Sequence, residues 1–261
     1  MIRMASFLLS LLVIASILFA GEGLSKDEEN VYYALAMNTP QEQSAVSVYA
    51  MSLTNYYVGF AYRGPNWTAE VDDISQKTRQ YFAEQVTAGK LVGAGRVMDG
   101  KDLHWILFFK SDALDAAKMI VASAPAVQAG RFTGEVRQIW GTKGIGDKLT
   151  KDATVEGLSS TTKSTYYLVV MTKGSKWNAE ENAANKKLIE DHISNVLKLQ
   201  KAGTVKFHGV FEDQGDIRGF GILQAASLKE AETIFKDDPA VKADWIKPTY
   251  YTFEVAEGVL P

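Results

Sequence analysis

His192 and Asp238 are the two residues of this chain whose types suit them to act together. An imidazole oriented by a carboxylate is a general acid or base whose protonation changes near neutral pH. Such a pair would abstract an acidic C–H or O–H proton, the chemistry of isomerisation, elimination or lyase-type reactions on a small organic acid. The two lie far apart in sequence, so only the fold can join them. Ile189, His192, Val196 and Leu199, joined by Ile193, recur at helical spacing and place His192 on an apolar helix face. A ring N–H packed there needs an acceptor. Asp238, at the end of the following helix, is the carboxylate positioned to supply it. The alternative is structural: a lone histidine on an apolar helix face is more often a hydrogen-bonded core residue than a catalyst, and Asp before Pro239 is a common turn.

Lys206 and His208 are the next candidates. Strand alternation puts Val205, Phe207 and Phe211 on one face and Lys206, His208 and Val210 on the other. With the apolar set against the helices, Lys206 and His208 line a cavity between sheets and would meet an anionic ligand; as solvated strand residues they need no function. The three histidines are scattered, with no pair at i, i+4, and there is no cysteine, so neither a metal site nor a disulfide is expected. Gly93-Ala94-Gly95 lacks the rest of a dinucleotide fingerprint, and no phosphate loop or Ser-His-Asp order is present. No cofactor is implied.

An internal duplication says which elements position these residues. AGKLVGAGRVMDGKD, from Ala88, recurs as AGTVKFHGVFEDQGD from Ala202, and the same offset of 114 carries Pro125-Ala126-Val127 onto Pro239-Ala240-Val241. Residues 78–140 and 192–254 share twelve identities without a gap, which marks two copies of one unit. His192 and Asp238 correspond to Thr78 and Ala124, so only the second copy carries the ionisable pair. Trp67 and Trp177 occupy matching places before the first helix of each copy, which argues for packing, since the first copy lacks the chemistry.

In each copy, apolar runs, turns and helix stops read β-α-β-β-α-β. In the second, Tyr166–Thr172 is a strand, and Asn178-Ala179-Glu180-Glu181 opens a helix that ends at Ala202-Gly203. Val205–Phe211 and Ile217–Gln224 form a hairpin. A second helix capped by Ser227 stops at Asp238-Pro239, and Trp245–Val255 is a strand interrupted at Pro248. In the first copy a helix over 68–87 and a second one capped by Ser111-Asp112 hold the same places. This order gives the ferredoxin-like α+β sheet with both helices on one face. Two such units in tandem would cover their open faces by packing sheet on sheet, an intrachain dimeric α+β barrel and pseudo-dimer with a ligand cavity between the sheets.

The second unit resembles the YCII-related domain family in His192, Gly203, Gly209 and Asp238-Pro239-Ala240-Val241. Residues 55–140 share its layout, with Gly89, Gly95 and Pro125-Ala126-Val127, but lack the His and Asp, and read as a degenerate copy serving as scaffold and lid. The resemblance implies a dimeric α+β barrel fold and a His192–Asp238 site in a cofactor-free isomerase or lyase, or else a non-catalytic module that binds a ligand or a protein partner.

Composition sets the frame. A net charge of −3 over 261 residues gives no basic footprint, which speaks against a nucleic-acid partner. Met1-Ile2-Arg3, an uncharged apolar run from Ala5 to Ala20, then Gly21-Glu22-Gly23 match a secretory signal peptide over residues 1–20. The expectation is an exported protein, periplasmic or secreted; an uncleaved run would instead anchor it to the membrane. Residues 21–54 read as an N-terminal extension, 141–164 as a polar linker, and 165–256 as the second domain.

Overall fold

The computed structural model describes residues 49–261, apart from 101, 112, 150–162, 181, 212 and 214. The leader over 1–20, most of the extension 21–54 and the centre of the 141–164 linker lie outside the described residues. Among the described residues, no helix is long and apolar enough to cross a membrane.

The element order runs twice through one pattern. The first half holds β1 (Leu53–Arg63), α1 (Asp73–Thr87), β2 (Leu91–Val97), β3 (Leu103–Phe109), α2 (Leu114–Ala122), a short α3 (Pro125–Gln128) and β4 (Phe132–Thr142). The second holds β5 (Lys163–Lys173), α4 (Ala183–Lys201), β6 (Val205–Phe211), β7 (Ile217–Leu223), α5 (Leu228–Ile234), a short α6 (Pro239–Lys242) and β8 (Ile246–Ala256).

Local chemistry places the boundaries. α1 begins at Asp73 rather than at 68, because the Asp72 carboxylate accepts from Ser75 N at 3.1 Å, and Arg131 grips the same carboxylate. α4 opens at Asn182, whose side chain accepts from Asn185 N, and not at Asn178. α2 has no side-chain cap, its N-cap being Ala113. Ser227 does cap α5, accepting from Glu230 N at 3.1 Å, while the Glu230 carboxylate accepts from Ala226 N, one residue before the cap. Pro125 and Pro239 each open a further turn of helix as its first residue. β8 runs unbroken through Pro248, which pairs with Met171 on one side; pairing with β2 on the other begins only at Phe253. A proline is tolerated where the strand has a single neighbour.

The eight strands close into one barrel in the order β1-β3-β2-β8-β5-β7-β6-β4. Two seams join the halves. Gly95, Arg96 and Val97 pair with Val255, Glu254 and Phe253; the 114-residue offset turns this register into Gly209, Val210 and Phe211 against Gly141, Trp140 and Ile139, which is the other seam. The seams also account for the matched glycines: a Cβ on Gly95 would collide with the Phe253 ring, and one on Gly209 would lie 2.6 Å from Ile139.

The barrel interior is packed, not hollow. Phe60, Phe108, Phe207, Phe220 and Phe253 fill it with Ile106, Ile139, Leu168 and Ile222. Helices cover the outside of each half, over separate clusters centred on Phe109 and Val121 in the first and on Val169, Val196 and Phe235 in the second. The expected intersheet cavity is therefore corrected. The space between the sheets is occupied by aromatic rings, and two cavities lie outside the barrel, under the helices.

Candidate functional site

α4 carries Ile193 and Val196 buried against the sheet, and this face brings His192 over the start of α6. Asp238 is the residue that caps α6, and it is fully buried. The two meet: His192 Nδ1 lies 2.9 Å from both Asp238 oxygens. Asn195, one turn along the same face of α4, donates to Oδ2 at 2.8 Å, and the N–H groups of Ala240 and Val241 donate to Oδ1 at 3.0 and 3.4 Å. Burial raises the cost of the Asp238 charge, but the hydrogen bond and charge of His192, with those from Asn195 and Ala240, outweigh it and hold the carboxyl below its ordinary range. An ionised carboxylate only accepts. His192 Nδ1 must then be the donor, and in the neutral ring the lone pair sits on Nε2.

Among the described residues, Nε2 of His192 has no hydrogen-bond partner, and the ring lines a cavity of about 120 Å³. The His208 ring lines the same cavity, its centroid 5.9 Å from that of His192. The Tyr49 hydroxyl meets His208 Nδ1. Burial, and secondarily the nearby His192, push the His208 imidazole down to about 3, while burial pushes the Tyr49 hydroxyl up. At neutral pH, Tyr49 therefore donates its O–H to an uncharged His208, leaving the proton of that ring on Nε2. The cavity holds one bare ring nitrogen and one ring N–H, and its remaining walls are mostly apolar, Trp177 and Trp245 among them. Two further donors in these walls, Arg218 Nε and Trp245 Nε1, are buried without an acceptor among the described residues. Both nitrogens are shut off from the cavity itself, so the groups that face it remain the two imidazole rings and the apolar walls.

Against the sequence expectations, the structure joins His192 to Asp238 and reverses the faces of β6. Phe207 and Phe211 point into the barrel, whereas His208 and Val210 face the helix side and the cavity. A β-bulge between Val205 and Phe207 is the cause: the extra residue puts Val205 in the helix-side cluster and Phe207 in the interior one. Lys206 is not among the cavity-lining residues; its Nζ lies at the Gly203 helix stop. Asn195, Tyr49, Arg218 and Trp245 were missed. Of these, only Asn195 had a signal, its i+3 spacing from His192.

The first half shows what the same framework does without the pair. Thr78 Oγ1, at the place of His192, accepts from Ala126 N at 3.0 Å and donates to Ile74 O at 2.7 Å. Ala126 corresponds to Ala240, so a threonine hydroxyl there takes over the capping that Asp238 performs. Among the described residues, no group of three or more histidine, aspartate or glutamate side chains could hold a metal ion.

Residues 166–251 match the YCII-related domain. No curated protein matches the chain. Among solved structures, a mutant chlorite dismutase from Candidatus Nitrospira defluvii is 13% identical, with a TM-score of 0.50 and coverage of 83% of this chain and 94% of that one. A heme-binding protein from Thermus thermophilus is 14% identical, with a TM-score of 0.46 and coverage of 79% and 94%. At such identity the likeness to the chlorite dismutase is one of fold alone.

Proposed function

We propose that the second half is a small-molecule site in which His192 moves a proton on a compact organic acid, oriented by Asp238, in an isomerase- or lyase-type reaction. The observation that carries this reading is the His192 ring fixed through Nδ1 at 2.9 Å from a buried carboxylate, with Nε2 free on a cavity. Nε2 takes the substrate proton as the ring becomes cationic, and the Asp238 charge stabilises that cation. The ring N–H of His208 is the donor offered to a substrate oxygen. A cavity of about 120 Å³ suits a molecule near one ring in size, since a ~150 Å³ apolar cavity takes benzene. This cavity is too small for a heme, since the pockets of even drug-sized ligands run to roughly 300–1,000 Å³. In this reading the halves are tandem copies of one unit, the first is the scaffold, and the leader over 1–20 directs export, which N-terminal sequencing of the protein purified from its source would test.

A second reading, ligand binding without catalysis, draws on one observation: Asp238 already has a structural task in capping α6. Incubation in D2O with a panel of small keto, hydroxy and aromatic carboxylic acids separates the two. Proton transfer predicts deuterium entering a C–H position of one of them with the wild type, and none with His192→Ala. A panel member that binds His192→Ala as tightly as the wild type and gains no deuterium with either leaves only the binding reading.

A further inference from the structure

The first half lacks the His–Asp pair but has the larger cavity. Beneath α1, at the place where the second half holds its cavity of about 120 Å³, lies a cleft of about 300 Å³. Thr78 and Ala124, standing for the imidazole and the carboxylate, both line it.

Its chemistry is uneven. Aromatic rings of Trp67, Phe82, Trp105 and Phe132 form the walls. Four cations, Arg79, Arg96, Arg131 and Lys163, line it against one carboxylate, Glu70. Arg131 is engaged with Asp72, whereas the side chains of Arg79, Arg96 and Lys163 make no hydrogen bond or ion pair among the described residues. His104, also in the wall, accepts from Arg63 Nε at 2.7 Å and is held below its ordinary range by burial and by the charges of Arg63 and Arg96. The site thus keeps its imidazole uncharged and leaves the guanidinium groups of Arg79 and Arg96 without a partner among the described residues.

We propose that this first-half cleft is a second ligand site, taking a planar aromatic carboxylate whose rings lie against the aromatic walls and whose charge meets Arg96 and Arg79. Aromatic walls accept any π-face, and a guanidinium matches a carboxylate with two parallel N–H bonds. The first half is then a binding unit of its own, independent of proton transfer at His192.

The probe is 2-naphthoate, a two-ring acid suited to the cleft and too large for the second-half cavity. Titrated into the full chain by calorimetry, with quenching of tryptophan fluorescence as a second readout, it binds saturably at one site and more weakly as salt rises. Affinity falls about tenfold in Arg96→Gln, and about as far when the uncharged 2-naphthamide replaces the acid. His192→Ala changes nothing. Both Arg96 and Arg79 are exposed, so their glutamine variants should fold; if Arg96→Gln does not, judged by its thermal melt, Arg79→Gln carries the test. No saturable binding at millimolar probe, equal affinity for the amide, or loss in His192→Ala with none in Arg96→Gln would each overturn the proposal. The last result would place the ligand in the second half instead.

Discussion

Replacing Asp238 with alanine exposes what the carboxylate does. The variant removes the acceptor of four donors: His192 Nδ1–H, Asn195 Nδ2–H and the N–H groups of Ala240 and Val241. A buried donor left unpaired costs about 1–3 kcal/mol, and a hydrogen bond to a charged group is worth about 1.5–3 kcal/mol. Asp238→Ala should therefore lose about 3–5 kcal/mol. The first half indicates the rescue. There a threonine accepts the N–H of Ala126 opposite an alanine. The double variant His192→Thr with Asp238→Ala transplants that arrangement. It restores the acceptor for Ala240 N–H and removes the imidazole donor; Val241 N–H can turn to the carbonyl of residue 238, as Val127 N–H does to Ala124 O, which leaves the Asn195 side chain orphaned at a cost of about 1–3 kcal/mol. The space vacated by the ring joins the existing cavity and can take water. The double variant should thus be more stable than the single one by about 2 kcal/mol, a coupling expected of residues in one network. Urea unfolding at neutral pH, followed by tryptophan fluorescence and far-UV circular dichroism with slopes compared, reads this difference. A double variant less stable than Asp238→Ala alone would refute the idea that the two halves solve one capping problem in two ways.

Acid stability should report His208. Its folded pKa, pushed down to about 3, lies below the roughly 6.5 of a free imidazole, so the unfolded chain binds the proton first as pH falls. Its contribution is whole above about pH 6.5 and is lost toward pH 3 at up to about 1.4 kcal/mol per unit; His208→Gln should flatten the pH dependence of the urea midpoint there by about one proton. Asp238, with its pKa lowered, contributes stability that is present above about pH 4 and lost below it, so Asp238→Asn should remove part of the steepest acid limb. Gly95→Ala forces a Cβ into the Phe253 ring and should cost at least the roughly 1–3 kcal/mol typical of overpacking, with Gly209→Ala somewhat milder against Ile139; thermal melts compare them.

The repeat made most of the fold legible. A constant offset fixed the element order, the matched glycines and the helix stops, and the same offset relates the two seams. The closeness of His192 to Asp238 was legible because helical spacing put the histidine on a buried face and both helices on one side of the sheet. The side to which β6 turns its aromatics was not. Both faces of this sheet are apolar, one toward the helices and one toward the barrel, so alternation alone names no inside, and the bulge at Val205–Phe207 shifts the parity. The helix starts at Asp73 and Ala183 were displaced because Asp72 and Asn182 supplied caps where earlier polar residues also qualified. Tyr49, outside the repeat, offered no pattern to follow, and neither did the orphaned donors of Arg218 and Trp245.

The nitrogen shifts of the His192 ring test the central claim most directly. Long-range proton–nitrogen correlation spectra at a pH where the ring is neutral should show Nδ1 carrying the proton and Nε2 bare, with Nε2 responding when a small organic acid enters the cavity. A neutral ring protonated on Nε2, or a ring indifferent to every acid that binds the second half, would contradict the account.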